Sequence, residues 1–178
     1  WQDDLKICHE DFGMSGLRLY PKWHNYRLSD RCCLDLVNAA TERGMVISVP
    51  IRVEDKRQRS WLVDVPDVPL DELAALVKAC PKARFVLLNG LGYAKLPLGH
   101  KDNGLPVNYL IEISRLSALL DNEIGQLIAS LGAERLVLGT GMPFSYPDPA
   151  LLKLEVLAAS KEDKEKIGWQ NIAQWLRL

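Results

Sequence analysis

Few residues in this chain are of a type, and in a place, to do chemistry. His24 stands in a polar, aromatic stretch with Tyr20, Trp23 and Tyr26. An imidazole there can serve as a base or ligand, or simply bond a neighbouring loop. Arg52, Glu54 and Asp55 follow directly on an apolar run. Two carboxylates beside an arginine can do acid–base work, or they can form a solvated turn. Arg18 and Glu112 each lie inside a strand-like run. A buried arginine needs an anionic partner, and Glu112 is an obvious one; the pair would bind a carboxylate substrate or fill the interior. In Gly139-Thr140-Gly141 the glycines allow backbone N–H groups to curve around an anion. A lone G-x-G with no long helix after it is no dinucleotide fingerprint, and no G-x-S-x-G elbow surrounds Ser114.

What positions these residues is legible in the hydrophobic pattern. Apolar runs beginning near residues 17, 46, 85, 108 and 136 predict five strands. Between them lie helical stripes. One has Leu34, Val37 and Ala40 behind a Ser29 cap, another spans 70–80, and a third spans 116–131. A further helix starts at Pro149 or Ala150, and Ser160 opens a last one reaching 178 with a capping box that uses Asp163. Asn171 is polar inside that apolar helix and suits a bond to loop backbone. Residues 91–107 show glycines and prolines without a helical stripe. Alternating strand and helix predicts a parallel sheet with right-handed crossovers. An open doubly wound sheet and part of a (β/α)8 barrel both fit, the latter normally needing about 250 residues.

Composition narrows the partners. The 178 residues carry a net charge of −1, so no basic field draws nucleic acid or an anionic membrane. The basic run at Lys56, Arg57 and Arg59 is flanked by Glu54 and Asp55 and reads as a solvated loop. Four cysteines without C-x-x-C spacing and three histidines argue against a disulfide scaffold or a zinc cluster, and fit a reducing cytoplasm. No apolar stretch has the length of a membrane span.

Several motifs together resemble one family. They are Gly16-Leu17-Arg18-Leu19-Tyr20-Pro21 with His24 and Tyr26, Asp64-Val65-Pro66-Asp67-Val68-Pro69-Leu70, Gly139-Thr140-Gly141-Met142-Pro143, and the helix from Ser160 to Asn171-Ile172-Ala173. The chain resembles the C-terminal two-thirds of amidohydrolase-related proteins, the branch that includes aminocarboxymuconate semialdehyde decarboxylase and small lactone hydrolases. The resemblance implies a TIM-type (β/α)8 barrel, represented here by about five βα units, strands four to eight. Residues 1–178 would be a single barrel domain without its first strands. Members hold a divalent metal with an H-x-H pair on the first strand, histidines ending the fifth and sixth, and an aspartate ending the eighth. Those three later positions fall at Pro50, Asn89 and Gly141. No metal is therefore expected at the usual site, and zinc only if the site is rebuilt.

The implied function is a hydrolase- or decarboxylase-like protein acting on a small carboxylate or lactone, with a degenerate or rebuilt metal site. The alternative is a non-catalytic binding or scaffold member. Catalytic roles would fall to His24, Arg52, Glu54 and Asp55, and substrate binding to Arg18, Tyr20, Asn89, Glu112 and Thr140. Five units leave open sheet edges, which predicts a homo-oligomer or pairing with a missing N-terminal segment.

Overall fold

Strands form where apolar residues run unbroken. In the computed structural model, which describes residues 1–53, 55, 57, 60–62, 64–143 and 145–177, these runs become β1 (Gly16–Arg18), β2 (Val46–Pro50), β3 (Arg84–Leu88), β4 (Tyr109–Glu112) and β5 (Leu136–Val137). They form one sheet in the order β1-β2-β3-β4-β5. β1 runs parallel to β2 with Gly16 opposite Val46, and β4 parallel to β5 with Ile111 opposite Leu136. By its contacts the chain divides into two compact units, Trp1–Leu87 with Pro106–Tyr109, and Leu88–Leu105 with Leu110–Leu178.

The first unit opens with α1 (Gln2–Lys6), continued by a π-helical turn at Ile7–Asp11. Its core is built by α2 (Arg31–Glu42) and α3 (Leu70–Ala79). α2 buries Cys33, Val37 and Ala40, and α3 buries Leu73, Leu76 and Val77, at the helical spacing the sequence shows. Each fully buried Leu, Ile or Phe contributes roughly 1.5–3 kcal/mol relative to exposure. The helix cap differs from expectation: Asp30, not Ser29, precedes α2, and its carboxylate accepts from the Arg27 N–H, 2.9 Å away, in a preceding turn. Asn108 is buried, and its amide donates to the Val77 and Cys80 carbonyls, satisfying the C-terminal end of α3. The four cysteines are free; Cys33 and Cys80 are buried, whereas Cys32 is exposed and not the packed apolar residue expected. Burial and the neighbouring Cys32 push the Cys33 thiol up to about 12.

The second unit contains α4 (Glu123–Ser130), α5 (Asp148–Val156), α6 (Lys161–Glu165) and α7 (Asn171–Leu176). The predicted helix over 116–131 is shorter than its stripe. Asn122 adopts a left-handed backbone (φ 47°) and its side chain accepts from the Gly125 N–H, so the helix starts at Glu123. Leu119 and Leu120, counted into the stripe, are exposed. The segment read as irregular contains two 3₁₀ turns, Tyr93–Lys95 and Pro97–Gly99. Ser160 caps α6 as expected, accepting from the Asp163 N–H at 3.0 Å. A π-helical turn, Lys166–Gln170, joins α6 to α7. Asn171 donates to the Ala133 and Leu136 carbonyls, both at 2.8 Å, and so fastens the last helix to the start of β5. Among the described residues no helix is long and apolar enough to cross a membrane.

Candidate functional site

β4 reads Tyr-Leu-Ile-Glu, and all four residues are buried. The last of them, Glu112, is only 4% exposed, so its charge must be met by donors. It is. Oε2 accepts from the Asn89 N–H at 3.2 Å and from the Ser114 hydroxyl at 2.8 Å, and Oε1 accepts from the Ser114 N–H. Asn89 directly follows β3 in a left-handed backbone (φ 57°). Asparagine is one of the few non-glycine residues that enters this region readily. Gly139, in the loop after β5, closes the third side. A Cβ there would lie 2.6 Å from both Cγ and Oε1 of Glu112. The loops following β3, β4 and β5 thus meet on one carboxylate, at the strand ends where (β/α)8 proteins place their chemistry.

Lys153 enters this cluster from α5. It is half-buried, and its Nζ donates to the Ser114 carbonyl. Desolvation lowers its pKa; Glu112 acts in the opposite direction, and the Arg115 guanidinium adds to the lowering. Nearby, Tyr93 is wholly buried, and burial, then Glu112 and Glu123, holds its phenol well above the usual range. The Tyr93 hydroxyl and Glu123 Oε1 are both shielded from solvent without a hydrogen-bond partner among the described residues. The second unit therefore concentrates two glutamates, a neutral phenol, a hydroxyl and two cations around the end of β4.

Of the residues selected from sequence, this cluster gathers Asn89 and Glu112, with Thr140 in the adjoining loop, where its Oγ1 accepts from the Met142 N–H at 3.4 Å. Arg18 is corrected. It is exposed on the edge strand β1 and donates to Ser48 Oγ at 3.2 Å, while its expected partner Glu112 takes the bonds described above within the second unit. In the first unit His24 is exposed and packs edge-on against Tyr20, ring centroids 6.1 Å apart. Arg52 makes a two-pronged ion pair with Asp67, at 2.8 Å from Nη2, which raises its pKa. Asp55, though buried, pairs with Arg57 at 3.1 Å. Arg52 and Asp55 are thus drawn into separate ion pairs and do not form the compact acid–base group anticipated; Glu54 lies outside the described residues. Lys153, Ser114, Arg115 and Tyr93 were not selected from sequence. The signal for Lys153 was a single cation inside the apolar run Leu151-Leu152-Lys153-Leu154.

The positions that the resemblance assigns to metal ligands are visible. Pro50 is the last residue of β2, Asn89 follows β3, and Gly141 lies in the loop after β5. None brings an imidazole or a carboxylate, and the Asn89 backbone is turned to Glu112. Among the described residues no group of three or more His, Cys, Asp or Glu could hold a metal ion. The residues present do not fit the divalent ion of the family.

Known proteins were compared with this geometry. No protein-family model matches the chain, and no curated protein matches it. Solved structures do. A 5-carboxyvanillate decarboxylase from Sphingomonas paucimobilis superposes with a TM-score of 0.71 at 13% identity, covering 99% of this chain and 62% of that one. A dihydroxybenzoic acid decarboxylase from a Polaromonas species, with bound manganese and 2-nitroresorcinol, gives 0.68 at 17% identity, covering 99% and 65%. A 4-oxalomesaconate hydratase from Rhodopseudomonas palustris gives 0.66 at 16%, covering 98% and 59%. The chain spans about two thirds of the length of the structures it matches. At these identities the likeness shows the fold. The chain is an α/β protein built of five βα units of the (β/α)8 type, and the resemblance to amidohydrolase-related proteins holds at that level.

Proposed function

We propose that this chain belongs to an amidohydrolase-related protein that acts on a small carboxylate or lactone, in the decarboxylase, hydratase and hydrolase range, with its usual metal site degenerate. The observation that carries this reading is the Glu112 cluster. In a fold whose solved neighbours include decarboxylases and a hydratase, it places a buried carboxylate, a hydroxyl and a lysine at the ends of β3, β4 and β5. Such chemistry requires that a carboxylate be bound and a proton moved. Cations at the cluster supply the first, and Lys153 or Ser114 can supply the second. A cytoplasmic location and a small-molecule partner belong to the same reading, supported by the free cysteines and the absence of a strong basic field.

The test is turnover. The purified protein is incubated with 2,6-dihydroxybenzoate, 5-carboxyvanillate and simple lactones, with carbon dioxide release and product formation followed by NMR, before and after chelation. Turnover that survives chelation is the expected result. One tightly held divalent ion per chain, with activity lost on its removal, overturns the degenerate site. A second reading, a non-catalytic binding member, is favoured by the full engagement of the Glu112 oxygens. Carboxylate binding without turnover would establish it.

A further inference from the structure

The charges that act on Lys153 are Glu112 and Arg115. Glu112 already shares its negative charge with three donors, the Asn89 N–H, the Ser114 N–H and the Ser114 hydroxyl. Lys153 spends one of its three N–H groups on the Ser114 carbonyl, and Arg115 follows in sequence beside it. Two cations therefore face one buried carboxylate whose oxygens are occupied. The excess is a single positive charge on a half-buried ammonium, which is costly to desolvate unless an anion meets it. The loop carrying Gly139 presses against the opposite side of Glu112 and leaves no space there. An incoming ligand must approach the cluster from the lysine side.

We propose that Lys153 and Arg115 form a carboxylate-binding subsite at the loop after β4, taking a monoanionic organic acid in a place the family fills with metal chemistry. This rests on the function proposed above and names the residues that anchor its substrate. One negative charge matches the single excess positive one, so a carboxylate suits the subsite better than a phosphate dianion. Lys153 donates its remaining N–H groups to the ligand, and Glu112 holds Ser114 and Asn89 in place as a positioning residue.

The experiment titrates the full chain with benzoate, benzamide and inorganic phosphate, following lysine side-chain NMR signals, with the Lys153 signal identified by its loss in K153R. The expected result is a Lys153 shift with benzoate and none with benzamide. K153Q then weakens benzoate binding about tenfold or more, about 1.4 kcal/mol, while K153R retains it. R115Q, checked for folding by amide dispersion, weakens binding in the same direction and decides the matter if K153Q does not fold. Benzoate binding that is unchanged in K153Q and R115Q overturns the subsite. So does phosphate that binds more tightly than benzoate, or benzoate that never moves the Lys153 signal. These readouts need no turnover. Absence of activity on every carboxylate and lactone would sink the enzymatic reading alone, whereas activity with an unchanged KM in K153Q would sink the subsite alone.

Discussion

At the scale of single residues, Gly139 and Glu112 make the sharpest demand. A methyl group at 139 would meet the Glu112 side chain at 2.6 Å, and Glu112 cannot retreat without abandoning its donors. G139A is expected to lose about 1–3 kcal/mol of stability, the usual cost of overpacking, as a lower urea midpoint. Lys153 gives a pH signature. Burial holds its folded pKa below the unfolded value of 10.5, with Glu112 and Arg115 as the charged groups facing it. Between those two values the unfolded chain binds more protons, so stability rises with pH. Wild type should therefore gain on K153M as pH climbs from about 8 toward 10.5, and urea midpoints at several pH values would show a gap that changes in this direction. A gap that is constant, or that moves the other way, contradicts the desolvated lysine.

At the scale of elements, the strands were legible because five apolar runs have no helical alternative, and Leu73, Leu76 and Val77 announced α3 by spacing alone. What failed was decided by backbone and tertiary context. Leu116 is buried and Leu119 and Leu120 are exposed, so the stripe looked helical while the left-handed Asn122 started α4 later. The site was half legible. Glu112 and Asn89 stood out as polar residues in or beside strands, but Lys153 reads as an ordinary lysine on a helix until α5 brings it to Ser114. Arg18 was misjudged because alternation in a three-residue edge strand carries little information about burial. Asn171 was read correctly, and its two bonds predict a cost. Asn171→Ala should destabilise by roughly 1–3 kcal/mol, because the Ala133 and Leu136 carbonyls lose their donor, and thermal unfolding would register it. Ser160→Ala removes only an exposed cap and should cost about 1 kcal/mol.

At the scale of the whole molecule, β1 and β5 are the edges of the sheet, and β1 shows exposed residues at both of its ends. Unpaired edges invite strand addition. The chain alone is expected to sediment as an oligomer, or to become a monomer only when a further segment is supplied; a clean monomer of this chain by itself would contradict that. The bond between Gly139 and Glu112 also constrains how such a molecule can descend with modification. A side chain can enter at 139 only if the residue at 112 has first shortened, and a glutamate can return to 112 only if 139 is bare. The two positions behave as one inherited character. Related sequences should be found in two states, glycine with glutamate or a larger residue with a smaller one, with few lineages caught between them.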